Sequence, residues 1–141
     1  MEKPRGSMVF FWYTANMKGT APVFIAIAAA LLIKLLLFDF FIAQGHSMEP
    51  AIFDGAVLVI SRVSYGIRLP LMKSYLVRWS KPAVGDIVVF YTPEGERAIK
   101  RCVQIEGDNF YAEGDNDLAS YDSRAYGKVS VEKIIGKVLG H

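Results

Sequence analysis

The sequence is poor in cysteine, histidine and charge, and each shortage removes a class of function. A single cysteine, Cys102, excludes an intrachain disulfide. With only two histidines, His46 and His141, no structural zinc site is expected, and neither a metal nor any other cofactor is called for. Charged residues make up 21% of the chain and the net charge is +2, which gives no reason to expect a nucleic-acid partner. There is no internal repeat and no low-complexity segment. What the chain has in abundance is apolar side chains, 52% of its 141 residues, and that excludes intrinsic disorder. The length suits one domain, since domains typically run to about 100–150 residues.

The apolar surplus is concentrated. Ala21–Phe38 reads APVFIAIAAALLIKLLLF, in which Lys34 is the one charge. As a helix, eighteen residues would extend about 27 Å, against a bilayer hydrocarbon core of about 30 Å. A transmembrane helix is therefore expected over residues 21–38, with Lys34 near one face where its stem can snorkel. Lys3, Arg5 and Lys18 against Glu2 make residues 1–20 a cytoplasmic segment, and the cluster Phe10, Phe11, Trp12, Tyr13 suits an interfacial belt. Residues 39–141 would then form an extracytoplasmic domain. Two alternatives to an anchor are weaker. A cleavable leader would end near Phe41-Ile42-Ala43, with bulky Phe41 at −3. A buried helix would be apolar all round, more than a domain this small can cover.

Beyond residue 38 the pattern becomes strand-like. Runs rich in Val, Ile, Phe and Tyr at 38–43, 56–61, 86–91, 97–105, 109–113 and 134–139 alternate with turn signals such as Asp54-Gly55, Gly85, Pro93-Glu94-Gly95 and Glu106-Gly107-Asp108. The expected fold is mainly β, a compact antiparallel domain. Between residues 61 and 82, Arg62, Arg68, Lys73, Arg78 and Lys81 are interleaved with Leu69, Leu71, Met72, Tyr75, Leu76, Val77 and Trp79, without one acid. That mixture suits contact with a bilayer surface, or else a solvated basic loop.

Three constellations carry the chemistry. Gly45-His46-Ser47-Met48-Glu49-Pro50 follows the first β run. Ala98-Ile99-Lys100-Arg101-Cys102-Val103 places a lysine on the strand face shared by Ala98 and Cys102. A lysine on an apolar face is costly unless it is used, and the use that fits is as general base for a serine nucleophile. Burial lowers a lysine pKa by up to about 3–5 units, enough to leave a neutral amine near physiological pH. Neither histidine offers a route: His46 adjoins Ser47 in sequence and His141 is the last residue. The third constellation runs from Gly114 to Arg124 (GDNDLASYDSR), where Asp122 and Arg124 can pair and Ser120 can orient the lysine amine. It lacks the alternating ligands and closing glutamate of a calcium loop.

These motifs, SMEPAIFDGAVLVISRVSYGIRLP, KPAVGDIVVF, IKRCVQIEGD and GDNDLASYDSRAYG in that order, resemble type I signal peptidase of the bacterial serine–lysine kind. The resemblance covers about residue 38 onward. It implies Ser47 as nucleophile, Lys100 as general base, Ser120 as the group that orients it, and an Asp122–Arg124 ion pair that holds the site. The oxyanion would meet the Ser47 N–H with help from position 45, where some members have a serine and this chain has Gly45. Ala51 stands where many have threonine, and the short link between Asp108 and Gly114 leaves no room for the large inserted subdomain of some members. Substrates would be signal peptides of exported preproteins, paired as a strand beside Gly45–Met48 and Ala98–Lys100, with Met48 and Ile99 among the contacts. The location implied is the bacterial inner or plasma membrane, single-pass, with the N-terminus cytoplasmic. Two other readings fit the same residues: a dedicated maturation protease, as for a conjugative pilin, and a non-catalytic membrane-tethered module that binds peptides.

Overall fold

The computed structural model describes residues 20–68, 72 and 74–140. Residues 1–19 of the segment expected to be cytoplasmic, with its aromatic cluster, and Leu69, Leu71, Lys73 and His141 lie outside them. The chain divides after Leu35 into two compact units. The first is dominated by helix α1, Ala21–Leu37, of which no residue is buried. At 17 residues α1 reaches about 26 Å. It falls short of the expected transmembrane span, and among the described residues no helix is long and apolar enough to cross a membrane. The shortfall has a local cause: Phe38, expected to close the span, opens strand β1 instead (Phe38–Ile42), held in register opposite Ser61.

The second unit is a curled antiparallel sheet. It comprises β1, β2 (Val57–Ser61), β5 (Ile87–Tyr91), β6 (Arg97–Glu106), β7 (Asn109–Glu113), β8 (Val129–Ser130) and β9 (Ile134–Gly140). A two-stranded ribbon, β3 (Gly66–Ile67) with β4 (Val77–Arg78), stands apart. The spatial order is β1-β2-β9-β5-β6-β7-β8 with every neighbouring pair antiparallel. The six β runs read from the sequence are these strands to within a residue or so at each end. The two-residue strands β3, β4 and β8, and the single-turn helix α2 (Ser123–Tyr126), carry too few residues to show a period.

β5 sits at the centre and explains why its sequence, Ile-Val-Val-Phe, is apolar without alternation. Ile87 and Val89 enter one core cluster, with Met48, Ile52, Leu58 and Ile60, while Val88 and Phe90 enter a second, with Cys102, Phe110 and Ile134. A strand buried on both faces needs no polar side. Phe90 and Phe110 meet edge to face, centroids 5.3 Å apart, at the centre of the second cluster.

The basic segment between residues 61 and 82 is tied down more than the sequence suggests. Arg62 pairs with Asp39, Arg78 with Asp108 and Glu132, and Lys81 with Asp108. These three charges have acidic partners within the protein. Met72, Leu76, Val77 and Trp79 remain exposed.

Candidate active site

Ser47 stands on a loop between β1 and β2 that is closed at its base and pinned at its tip. Ala43 N–H donates to Ala56 O at 2.8 Å and Gly55 N–H to Ala43 O at 2.9 Å. Within the loop, Ile52 N–H donates to Met48 O at 2.8 Å, and the side chains of Met48 and Ile52 are buried in the first core cluster. Gly45 adopts φ +84°, a conformation in which a side chain would be strained, and its N–H donates to Asp54 Oδ1 at 2.8 Å. This fixes the approach to Ser47. It also commits the Gly45 N–H, so position 45 offers an oxyanion neither a side-chain donor nor a backbone one.

Lys100 comes from β6, opposite Val88 of β5, with Cys102 buried two residues on. The expected shared face is present. On the neighbouring face Ile99 packs against the first core cluster. Lys100 is 6% exposed, and its Nζ donates to Ser47 Oγ at 2.6 Å. Burial pushes its pKa below the ordinary lysine value; the Asp122 carboxylate opposes that shift and the Arg124 guanidinium reinforces it. When the amine is neutral the hydrogen bond reverses, with the serine hydroxyl donating to the nitrogen lone pair.

The third constellation forms a charged scaffold behind this couple. Asp122 is 1% exposed and accepts four kinds of donor: Arg124 Nη2 at 2.5 Å and Nε at 2.9 Å, Gly114 N–H at 2.9 Å, Arg124 N–H at 3.1 Å, and the Ser120 hydroxyl. Burial alone would raise its pKa, but these donors outweigh it and hold the carboxylate well below the usual range. The same contacts, with a further ion pair to Asp117, hold Arg124 above its ordinary value. The expected Asp122–Arg124 pair is thus in place. Ser120 is not hydrogen-bonded to Lys100: its hydroxyl donates to Asp122, a charged and therefore stronger acceptor than the amine.

Several contributors were not singled out from the sequence. Asn116 N–H donates to Ser47 O at 3.0 Å, tying the Ser47 backbone to the scaffold. Gly114 lies so close that a methyl group there would collide with the Ser120 side chain and the Ser47 carbonyl oxygen. Arg101, next to Lys100, grips Asp115 with two bonds of 2.8 and 2.7 Å and donates to Gly85 O at 3.0 Å. A signal was available for this last pair: a basic residue beside the lysine and an acid within the turn-rich run. His46 Nδ1 lies 2.8 Å from Glu49 Oε1 and is exposed, away from Lys100's bond to Ser47.

A groove of about 530 Å³ ends at the couple. Its lining includes Ser47 and Lys100 together with Gly45, Met48, Ala98 and Ile99, the four residues expected at the substrate. Its walls are Asp39–Gly45 and Arg97–Lys100. Among the described residues β1 pairs only with β2, and Arg97–Lys100 pairs only with β5, so neither wall has a strand partner on its groove edge. Four successive antiparallel steps across the sheet make β1 and β6 parallel to each other, with Arg97 over Phe41 at one end of the groove and Lys100 on Ser47 at the other. Among the described residues no three His, Cys, Asp or Glu side chains gather as metal ligands would.

The family model described as "Signal peptidase, peptidase S26" matches residues 17–113, which takes in Ser47 and Lys100 and stops short of Ser120, Asp122 and Arg124. The chain is 30% identical over 99 residues to a protein named Signal peptidase I of Buchnera aphidicola subsp. Acyrthosiphon pisum, covering 69% of this chain and 31% of that one. It is 23% identical over 168 residues to Signal peptidase I of Bacillus caldolyticus, covering 83% of this chain and 86% of the relative. With Signal peptidase I of Helicobacter pylori it shares 30% identity over 138 residues, covering 77% and 47%. It therefore spans about a third of the Buchnera relative, about half of the Helicobacter one and most of the Bacillus one. With the family match covering well over half of its length, this chain belongs to the peptidase S26 signal peptidase family.

Proposed function

We propose that the chain is a serine endopeptidase that removes signal peptides from exported preproteins through an acyl-enzyme. The observation that carries this reading is the 2.6 Å contact between Ser47 Oγ and the buried, pKa-lowered Lys100 at the end of a groove with two free strand edges. An extended segment entering the groove can pair with both walls, by strand addition on each side. Its acyl half runs from the Arg97 end to the Ser47 end, parallel to β1 and β6. The lining side chains Phe41, Met48, Ile52, Val89 and Ile99 are apolar, and small apolar side chains at alternate positions near the cut are expected against them.

In the acylation step, neutral Lys100 takes the Ser47 hydroxyl proton as Oγ bonds to the scissile carbonyl carbon. The oxyanion forms against the Ser47 N–H, which has no other partner among the described residues. Collapse breaks the carbon–nitrogen bond, and the lysine proton passes to the departing amine. Water then attacks the ester with Lys100 again as base, releasing the signal peptide and restoring Ser47. Asp122, Arg124 and Ser120 touch no reacting atom in this scheme. They act through Gly114 and Asn116, which fix Ser47, and through their charges, which act on Lys100.

The membrane belongs to the same proposal. α1 is apolar and none of its residues is buried within the chain, so a bilayer is the natural cover for it. Confining enzyme and preprotein to one surface raises their effective concentration.

The test is to incubate purified protein with several unrelated preproteins in detergent and then treat it with a serine-acylating inhibitor, locating the adduct by mass spectrometry. Cleavage of most substrates after small residues, with the adduct on Ser47 and none in Lys100→Ala, is expected. Cleavage of a single substrate would point to a dedicated maturation protease. Peptide binding without cleavage or adduct would make the chain a non-catalytic module and overturn the proposal.

A further inference from the structure

We infer that the end of the groove remote from Ser47 is a subsite for an acidic side chain, carried by the substrate at the fourth or fifth residue before the scissile bond. The inference rests on the peptidase reading and adds a specificity element to it. Arg97 opens β6 three residues before Lys100, which in an extended strand places it about 10 Å up the groove. Counting the same distance along a peptide whose cut lies at Ser47 reaches its fourth or fifth residue upstream.

Arg97 is the unspent cation of this region. Its guanidinium lies over the Phe41 ring, 5.1 Å from the centroid, and among the described residues it makes no ion pair. Its neighbours are engaged elsewhere: Arg62 with Asp39 at 3.5 Å, Arg101 with Asp115 and Arg124 with Asp122. Asp39 also lines this end of the groove, but Arg62 offsets its charge, so a net positive charge faces the substrate here. Stacking on Phe41 limits the rotamers of the arginine while leaving the guanidinium edge free to bond. A planar guanidinium held in this way suits a carboxylate, which can accept two parallel bonds. A lysine or arginine at the same substrate position meets repulsion instead, so the site both selects and rejects. Between Arg97 and Ser47 the lining is mainly apolar, with Gln44 as an uncharged polar group, which leaves Arg97 and the Arg62-paired Asp39 as the charges on the upstream side.

The experiment uses the full-length protein in detergent and peptides that differ only at the fourth or the fifth upstream residue, carrying Asp, Ala or Lys there. The readout is the ratio of kcat/KM for the Asp peptide to that for the Lys peptide, which is independent of how much enzyme is active. The parent is expected to favour Asp by about fivefold at one of the two positions, shrinking as salt is raised. Arg97→Lys should keep the sign, Arg97→Met should bring the ratio near one, and Arg97→Glu should invert it. Equal cleavage of all peptides by the parent, or a ratio unmoved in Arg97→Glu, overturns the subsite while leaving the peptidase reading intact. Failure of the parent to cleave any peptide, with Ser47 unlabelled by an acylating probe, overturns both.

Discussion

Two pairs of hydrogen-bonded side chains build the site, one behind the other, and burial has had opposite consequences in them. Lys100 is buried against a neutral partner, Ser47, and its charged form is destabilised. Asp122 is buried more deeply, yet its charged form is strongly favoured, because Arg124, the Gly114 N–H and the Ser120 hydroxyl all donate to it. Burial alone therefore does not decide whether a group stays ionised. The number of matched donors does. On the proposed reading, one pair supplies a base with a usable lone pair, and the other is a fixed ionic strut.

The comparison breaks most completely at its Ser47–Lys100 half. Ser47→Ala and Lys100→Arg should each lower kcat for preprotein cleavage by about 10⁴-fold, arginine because it cannot become a neutral base. Lys100→Met should be as inactive but more stable than the parent. Because the folded state lowers the lysine pKa, the unfolded chain binds the proton more tightly and the parent's stability rises with pH between the folded value and about 10.5. Lys100→Met should lose that pH dependence and gain most below the folded pKa. Thermal melts at several pH values check this; a variant less stable at neutral pH contradicts it.

The ionic half should fail as structure. Asp122→Ala leaves the Gly114 N–H and the Ser120 hydroxyl without their acceptor and removes the buried anion, a loss of about 3 kcal/mol in urea unfolding. Gly114→Ala probes the link between the halves. Its methyl group would displace Ser120 or the Ser47 carbonyl, and a misplacement of about 1 Å at a nucleophile costs about 100-fold in kcat. An unchanged kcat would mean that the scaffold does not position Ser47.

This division also marks what the sequence could disclose. Lys100 was legible because strand alternation puts it on a face with Ala98 and Cys102, where an amine has no cheap alternative use. The strands were legible because their Val, Ile and Phe runs are bounded by Asp-Gly, Pro-Gly-type and Gly-Asp turns. The end of α1 was not, since Phe38 is as apolar as the helix before it, and only its pairing opposite Ser61 draws it into the sheet. The partner of Ser120 was also hidden. Ser120 and Lys100 are twenty residues apart in sequence, and which of two nearby acceptors a hydroxyl chooses depends on folded distances that no spacing records. Gly114 and Asp54 were missed for a related reason, because their effect is on the backbone of another loop.

The smallest effect is also the sharpest test of how the two halves communicate. Lys100 senses Asp122, whose negative charge favours the protonated amine, and Arg124, whose positive charge disfavours it. In the parent these influences oppose each other, which leaves burial as the dominant cause of the lowered pKa. Arg124→Met removes the repulsion and leaves the carboxylate, so the Lys100 pKa should rise. The acid limb of the kcat/KM profile should then move to higher pH, with less activity at neutrality. Asp122→Asn removes the attraction and should move the same limb to lower pH, whatever it does to stability. Combining the two changes should bring the limb back toward the parent's position, because the two influences have opposite sign. If both single variants move the limb in one direction, Ser47 and Lys100 are responding to a shift in the scaffold's position and not to its charge.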